Sequence, residues 1–211
     1  MNNSLKFLLS LCFLVAHKAI FTAQPGGNTW QHKSHATYFY DKKAPFYAFT
    51  NFFHLKPARG HTLSIDNKIW RSSEHYFQAQ KFIYHPALFN KILSADSAHE
   101  AFLIAQQQQK YIRSDWYTRD INGLAPRDKV MIKVLWEKFT QNNDLKQLLL
   151  ATGTQTLIED SPNDEYWGRG KSWDGQNQLG QMLMYIRWLF TNGYNPSPSH
   201  PFTPFGPTHY R

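Results

Sequence analysis

Residues 62–85, TLSIDNKIWRSSEHYFQAQKFIYH, contain the two patterns that decide the fold. Short apolar runs flank the turn pair Asp66-Asn67, and this arrangement predicts a β-hairpin. Ser72 follows as an N-cap residue and predicts a helix from Ser73 to Tyr84. A hairpin leads directly into a helix here, with no repeated strand–helix–strand unit, so the segment indicates an α+β fold.

Outward from this segment, the chain predicts more helices than strands. Strands are expected at Thr37–Tyr40 and Thr156–Glu159. Five further helices are expected. The first covers Ala87–Leu93, and the second begins at a Ser97/Glu100 capping box and runs toward Tyr111. The third begins at Pro126 and has Met131, Val134, Leu135 and Phe139 on one face, the fourth runs from a cap at Asp144 to Gly153, and the last covers Gln178–Thr191. The predicted fold is a mostly helical single α+β domain with a few short strands, and it spans residues 37–192.

The two ends of the chain differ from this domain in composition. Residues 1–23 predict a signal peptide, because Lys6 precedes an apolar run, Phe7–Ala16, that is too short to span a bilayer. A secreted or periplasmic protein is therefore expected; a cytoplasmic protein, from a mistaken start codon, or a membrane-tethered helix are the alternatives. Residues 193–211 include five prolines and predict a disordered tail.

The composition favours an anionic partner. The net charge is +8, spread along the chain without a basic block, and aromatic residues make up 16%. This balance suits ligands from phosphorylated metabolites to nucleic acid. The single cysteine, Cys12, lies in the leader, and His32 and His35 have no nearby third ligand, so no disulfide, metal or other cofactor is predicted.

A narrow polar stripe runs along the predicted helix at Ser73–Tyr84. At 100° per residue, Glu74, Gln78, Lys81 and His85 fall within about 60° of one another, whereas the other directions are mostly apolar. A surface helix normally has a wide polar face. The stripe therefore lines a polar cleft or simply faces water, and the pattern leaves both open.

Two further segments carry candidate ligand-binding groups. The loop Asn163–Gly170 (NDEYWGRG) combines Asp164, Trp167, Gly168 and Gly170, and glycine backbones approach a ligand closely. It continues through Gly175–Gly180 into the last helix, at an N-terminus suited to phosphate. The alternative is a long glycine-rich turn.

The segment Arg113-Ser114-Asp115-Trp116 follows a predicted helix. Arg113 is suited to clamp a phosphate, and Trp116 to stack on a base. The alternative is a surface salt bridge beside a core tryptophan.

Taken in order, these segments resemble the NADAR, or YbiA-like, family. The resemblance covers roughly residues 37–190, and Thr50 stands where the family pattern usually has serine. The leader and the proline-rich tail lie outside it. The motifs that carry it are Phe49–Phe52, Trp70–Phe82, Arg113–Trp116, Met131 with Lys138-Phe139, Leu148–Gly153, Glu159, Asp164–Gly170 and Gly175–Arg187.

The resemblance implies an N-glycosidase that needs no cofactor and hydrolyses a ribose–base bond. Its substrates would be phosphoribosyl intermediates of riboflavin synthesis or ADP-ribosylated guanine, so the expected partners are a phosphorylated nucleotide-derived molecule or ADP-ribosylated nucleic acid. Glu74 and Asp164 are the expected catalytic carboxylates, with roles that are interchangeable. The expected binding residues are Asn51, Gln78, Lys81, Arg113, Trp116, Trp167, Gly168, Gly170 and Asn177. The alternative is a module that binds ADP-ribose or NAD metabolites without catalysis.

Overall fold

A computed structural model describes residues 34–121 and 123–193. The predicted leader and all but the first residue of the predicted tail lie outside this range. The secondary-structure elements, in chain order, are β1 (Ala36–Phe39), β2 (Ser64–Ile65), β3 (Lys68–Ile69), α1 (Ser73–Gln80), α2 (Pro86–Ser94), α3 (Ala98–Gln107), α4 (Pro126–Gln141), α5 (Asn143–Ala151), β4 (Thr156–Glu159) and α6 (Gln178–Thr191). The α+β prediction is confirmed.

Two small sheets hold distant parts of the chain together. Strand β1 pairs in parallel with β4, with Ala36 opposite Thr156 and Phe39 opposite Glu159. Strands β2 and β3 form the predicted antiparallel hairpin. Its turn residues Asp66 and Asn67 have φ angles of 54° and 58°, the left-handed values that a two-residue hairpin turn requires.

Helix α1 lies at the centre of the domain and contacts α2, α3 and α4. Ser72 is its N-cap, as predicted, and accepts the N–H of His75. The helix ends at Gln80 instead of Tyr84. The amides of Lys81 and Phe82 bond to carbonyls three residues back, and the Lys81 carbonyl accepts the N–H of Arg113. The last turn therefore tightens, because a distant segment takes one of its acceptors.

Two predicted caps differ from the structure. Helix α5 begins at Asn143, so Asp144 lies inside it, and the Asp144 carboxylate faces His61 Nε2 at 2.7 Å. At the start of α3, Ser97 accepts the N–H of Glu100 as predicted, but the Glu100 carboxylate accepts from Asp96 instead of Ser97. The prediction of Asp144 as a cap is therefore wrong. The Ser97 cap is confirmed, and only the reciprocal bond from Glu100 to Ser97 is not formed.

The core between the helices is rich in aromatic side chains. Trp70, Trp116 and Trp136 are fully buried. Helix α6 packs against β4 and against α4 and α5, which closes the domain over the paired strands. Within residues 34–121 and 123–193, no helix has both the length and the apolar character to cross a membrane.

Candidate active site

The polar stripe of α1 points into the domain at the helix's first two turns. Glu74 and Gln78 are 4% and 3% exposed, whereas Lys81 and His85, beyond the helix end, are half-buried. The stripe therefore begins in the interior and ends near the surface. For Glu74 and Gln78 the structure agrees with a buried polar cleft and excludes a water-facing stripe.

Glu74 is held from both sides. Its N–H donates to the carbonyl of Asn51 at 3.0 Å, and its Oε1 accepts from Gln78 Nε2 at 2.6 Å. Burial raises the pKa of the Glu74 carboxyl to about 7, and the negative charge of Asp164 adds to this, whereas the Gln78 hydrogen bond and Lys81 oppose it. Such a carboxyl exchanges its proton near neutral pH, as a general acid or base must.

Asp164 fixes the loop that faces Glu74. Its Oδ1 accepts the backbone N–H groups of Tyr166 and Trp167 at 2.9 and 2.7 Å. This turn, closed by an aspartate side chain, orients the loop and keeps the carboxylate next to it. Asp164 lies close enough to raise the pKa of both Glu74 and Glu159.

Glu159, the last residue of β4, is a third carboxyl in this cluster. Its Oε2 is buried and has no hydrogen-bond partner. Burial, together with Asp164 and Glu74, raises its pKa well above the usual value. Glu159 belongs to the family pattern but is not among the site residues expected from the sequence. The sequence feature that could have identified Glu159 as a site residue is a carboxylate at the end of a strand whose central residues are apolar.

Several buried oxygen atoms around Glu74 have no partner. They are Asn51 Oδ1, Gln78 Oε1 and Glu159 Oε2. Asn51 uses its amide nitrogen only for a weak contact with Met131 Sδ at 3.1 Å. An unpaired buried acceptor is costly, and each one in a folded protein calls for an explanation. Donors on a bound ligand would satisfy these atoms.

Aromatic rings form one wall beside the carboxyl cluster. Phe77, on α1, contacts Trp116 and Trp167 with ring centroids 5.3 and 5.5 Å away, and Lys81 Nζ lies 5.4 Å from the Phe77 ring. Trp116 is 1% exposed and packs in the core, so in this structure it presents no face to a ligand. Trp167 is half-buried and is the indole of the pair with exposed surface.

Arg113 lies next to the stripe but is already paired. Its backbone N–H donates to the Lys81 carbonyl at 2.9 Å, which brings the two basic residues together. Its guanidinium makes two hydrogen bonds to Asp115, at 2.5 and 2.6 Å. These bonds raise the pKa of Arg113 further and offset its charge. A phosphate at Arg113 would have to compete with this carboxylate.

Asn177 and the start of α6 support the site from behind. Asn177 is 0% exposed; its Oδ1 accepts the N–H of Glu159 and its Nδ2 donates to the Leu157 carbonyl, both at 2.9 Å. The N–H groups of Gln178 and Leu179 bond to the carbonyls of Tyr166 and Trp167. The first turn of α6 is thus occupied by protein, and the expectation of a phosphate there is wrong.

The glycines of the loop allow its backbone to pack closely against neighbouring residues. A Cβ at Gly168 would lie 2.8 Å from Ser161 Cβ, so the glycine lets the loop pass over the end of β4. Gly170 has a φ of 69°, a conformation that side chains rarely adopt. Both glycines shape the loop, and neither is seen here to leave its backbone open to a ligand. No group of three or more His, Cys, Asp or Glu in the described residues could hold a metal ion.

Comparison with known proteins places this arrangement in a family. Residues 38–190 match the NADAR domain family. N-glycosidase Npun_R5314 of Nostoc punctiforme is 33% identical, over 71% of this chain and 89% of its own. N-glycosidase YbiA of Shigella boydii is 38% identical, over 59% of this chain and 73% of its own. These relatives confirm the predicted enzyme class, a hydrolase acting on N-glycosyl compounds.

Two further similarities extend the comparison. Riboflavin biosynthesis protein VVA0006 of Vibrio vulnificus is 42% identical over 60% of this chain, and the match spans only 32% of that longer protein. The solution structure of Escherichia coli YbiA has a TM-score of 0.62 and 30% identity, and covers 81% of this chain and 94% of its own. The match to the family model over most of the chain, and to YbiA in both sequence and fold, shows that this chain belongs to the NADAR domain family.

Proposed function

We propose that this protein hydrolyses the ribose–base N-glycosidic bond of a phosphoribosyl or ADP-ribosyl compound. The observation that carries the proposal is the buried carboxyl cluster of Glu74, Asp164 and Glu159, in a chain whose relatives are named N-glycosidases. The cluster lies beside Lys81 and the half-buried indole of Trp167. A proton-exchanging carboxyl next to a cation and an aromatic face is what this reaction needs.

To cleave the bond, the site has to stabilise a positive charge, neutralise a negative charge and activate a water molecule. Cleavage leaves positive charge on the sugar carbon C1′ and its ring oxygen, and negative charge on the departing base. An ionised carboxylate stabilises the first charge and removes a proton from the attacking water. We assign this role to Glu74, which the buried environment places near its ionisation point at neutral pH. Asp164 is the partner carboxylate.

Recognition of the substrate follows from the neighbouring groups. Asn51 Oδ1 and Gln78 Oε1 are unpaired acceptors suited to the hydroxyl groups of a ribose. Trp167 offers a face on which a base stacks. Lys81, whose charge acts on Glu74, would hold a phosphate, while Arg113 would assist only after release from Asp115. Riboflavin-pathway intermediates and ADP-ribosylated guanine both carry these features.

The proposal is tested by incubating the protein with a panel of candidate substrates and detecting released base by mass spectrometry. The panel contains phosphoribosylamino-pyrimidines, oligonucleotides with ADP-ribosylated guanine, NAD and ADP-ribose. Wild-type protein should release a base from at least one compound, and the matched Glu74→Gln variant, prepared in the same way, should not. Release by both proteins would indicate a contaminating enzyme or a different catalytic residue.

The same panel distinguishes catalysis from binding alone. Thermal shift is measured with each compound that is not cleaved. If a compound raises the melting temperature of the wild type and none is cleaved, the protein is a binding module and the proposed activity is wrong. If binding depends steeply on salt, the ligand is a polymer, because many counterions are released from a nucleic acid.

A further inference from the structure

Glu159 is held rigidly by its backbone. It is the last residue of β4 and lies opposite Phe39 of β1. Its N–H donates to Asn177 Oδ1 and its carbonyl accepts the N–H of Arg169, both at 2.9 Å. With both backbone groups bonded, the position of Glu159 at the end of β4 is fixed, and its carboxyl lies close enough to Glu74 and Asp164 for their charges to act on it.

The carboxyl of Glu159 has no counter-charge among residues 34–121 and 123–193. Its Oε2 is buried and unpartnered, although the residue as a whole is half-buried and therefore not sealed from the site. The charged groups that act on it are Asp164 and Glu74, which are both acidic. Arg169, whose backbone it touches, directs its guanidinium to Asp160 at 2.6 Å. No Lys, Arg or His among the described residues forms an ion pair with Glu159.

The two buried glutamates therefore differ in how readily they ionise. Glu74 receives a hydrogen bond from Gln78 and is close to Lys81, and both favour its charged form. Glu159 has neither, and its pKa is raised well above the usual value by burial and by the two acidic neighbours. Two carboxyls with separated pKa values are the arrangement by which glycosidases divide the roles of base and acid.

We propose that Glu159 is the acid that protonates the leaving base, opposite Glu74, which deprotonates water; this rests on the N-glycosidase function proposed above. The water oxygen forms a bond to C1′ and its proton passes to the Glu74 carboxylate. The C1′–N bond breaks, its electron pair goes to nitrogen, and nitrogen takes the proton of Glu159. One proton then returns from Glu74 to Glu159, and the site is restored.

The kinetic test uses Glu159→Gln, with Glu165→Gln as the matched control. Glu165 is an exposed glutamate in the neighbouring loop whose Oε1 accepts the N–H of Lys171, a bond that glutamine keeps. For a leaving amine that needs a proton, Glu159→Gln should lose about 100-fold in kcat, a typical contribution of a general acid. The control should keep wild-type kcat.

Two further readouts separate proton donation from a structural effect. In the wild type, kcat/KM falls at alkaline pH as Glu159 ionises, and this alkaline limb should disappear in Glu159→Gln. With a ribosyl phosphate of nicotinamide, which leaves as a neutral molecule, the loss should be within about threefold, since no proton is required. Glu159→Asp, which keeps an acid, should retain part of the activity. Equal losses on both leaving groups, or an unchanged alkaline limb, would refute the role.

A substrate-free measurement distinguishes a failure of this inference from a failure of the proposed function. As the pH is raised, infrared spectra of the folded protein should contain the carbonyl band of a neutral carboxylic acid that persists after Glu74 has ionised. The band should be absent in Glu159→Gln and present in Glu165→Gln. If Glu159→Gln does not fold, the pH dependence of the band is measured in wild type and in Glu74→Gln instead. The band should still be present in Glu74→Gln, because it belongs to Glu159. The absence of the band in wild type would overturn the assignment.

Discussion

The two faces of helix α1 contain buried polar side chains of opposite character. On one face, His75 is fully paired: Nδ1 lies 2.7 Å from Ser72 Oγ and Nε2 lies 3.1 Å from the Ala95 carbonyl. On the other, Glu74 and Gln78 bond to each other, and Gln78 Oε1 has no partner. Satisfied polar groups specify a structure, whereas unsatisfied ones at a cluster of acids mark a place for a ligand. One face therefore contributes stability and the other contributes chemistry.

The largest effect on stability is expected on the paired face. His75→Ala removes two hydrogen bonds and leaves a cavity in a fully buried position, so the free energy of unfolding should fall by about 3 kcal/mol. The kcat of the folded fraction should stay within about threefold of wild type. Urea denaturation and active-site titration measure the two quantities. A large loss of kcat in fully folded His75→Ala would remove the distinction between the faces.

A pH-dependent effect is expected on the unpaired face. The pKa of Glu74 is raised from 4.5 to about 7, so its ionisation costs nothing below pH 4.5 and progressively destabilises the fold as the pH rises to about 7. Glu74→Gln lacks this cost. It should be as stable as wild type near pH 4 and up to about 3 kcal/mol more stable at pH 8.

Denaturant titrations of both proteins at the two pH values measure this difference. Glu159 changes stability in the same direction. Because the charge of Glu74 is one cause of the raised pKa of Glu159, Glu74→Gln also lowers the cost of ionising Glu159, which adds to the difference between the two proteins. A Glu74→Gln variant that is less stable than wild type at pH 8 would mean that Glu74 stabilises the fold, and that the unpaired face is structural as well.

The smallest effect is expected at Arg113. Because its guanidinium is already bonded to Asp115, Arg113→Gln should raise KM for a phosphorylated substrate less than about tenfold, with kcat unchanged. Steady-state kinetics at constant ionic strength measure it. A rise of more than a hundredfold would show that substrate displaces Asp115 and that Arg113 is the main phosphate ligand.

Much of the fold was predictable because its signals are local. The hairpin turn at Asp66-Asn67 and the Ser72 cap depend on neighbouring residues alone. The end of α1 and the role of Asp144 were not predictable. Each depends on a partner that is distant in sequence: the N–H of Arg113 for the Lys81 carbonyl, and His61 for Asp144.

The candidate site, like the fold, was predictable only where the signals are local. Residue type and spacing identified the polar stripe that contains Glu74 and Gln78 but left open whether it is buried. The structure buries both side chains and brings Asp164 beside them. The sequence does not reveal whether a polar atom has already found a partner. For this reason it offered Asn177 as a binding residue, although its side chain bonds to β4, and passed over Glu159, whose carboxyl is unpaired.

The central claim is that Glu74 carries out chemistry and is not needed for folding. The most direct test is the kcat of Glu74→Gln relative to wild type on whichever panel compound is cleaved, with the melting temperature of both proteins measured in the same buffer. The account predicts a loss of about 1,000-fold or more in kcat and a melting temperature that is not lowered. A kcat within tenfold of wild type, or inactivity that accompanies a collapsed melting temperature, would contradict it.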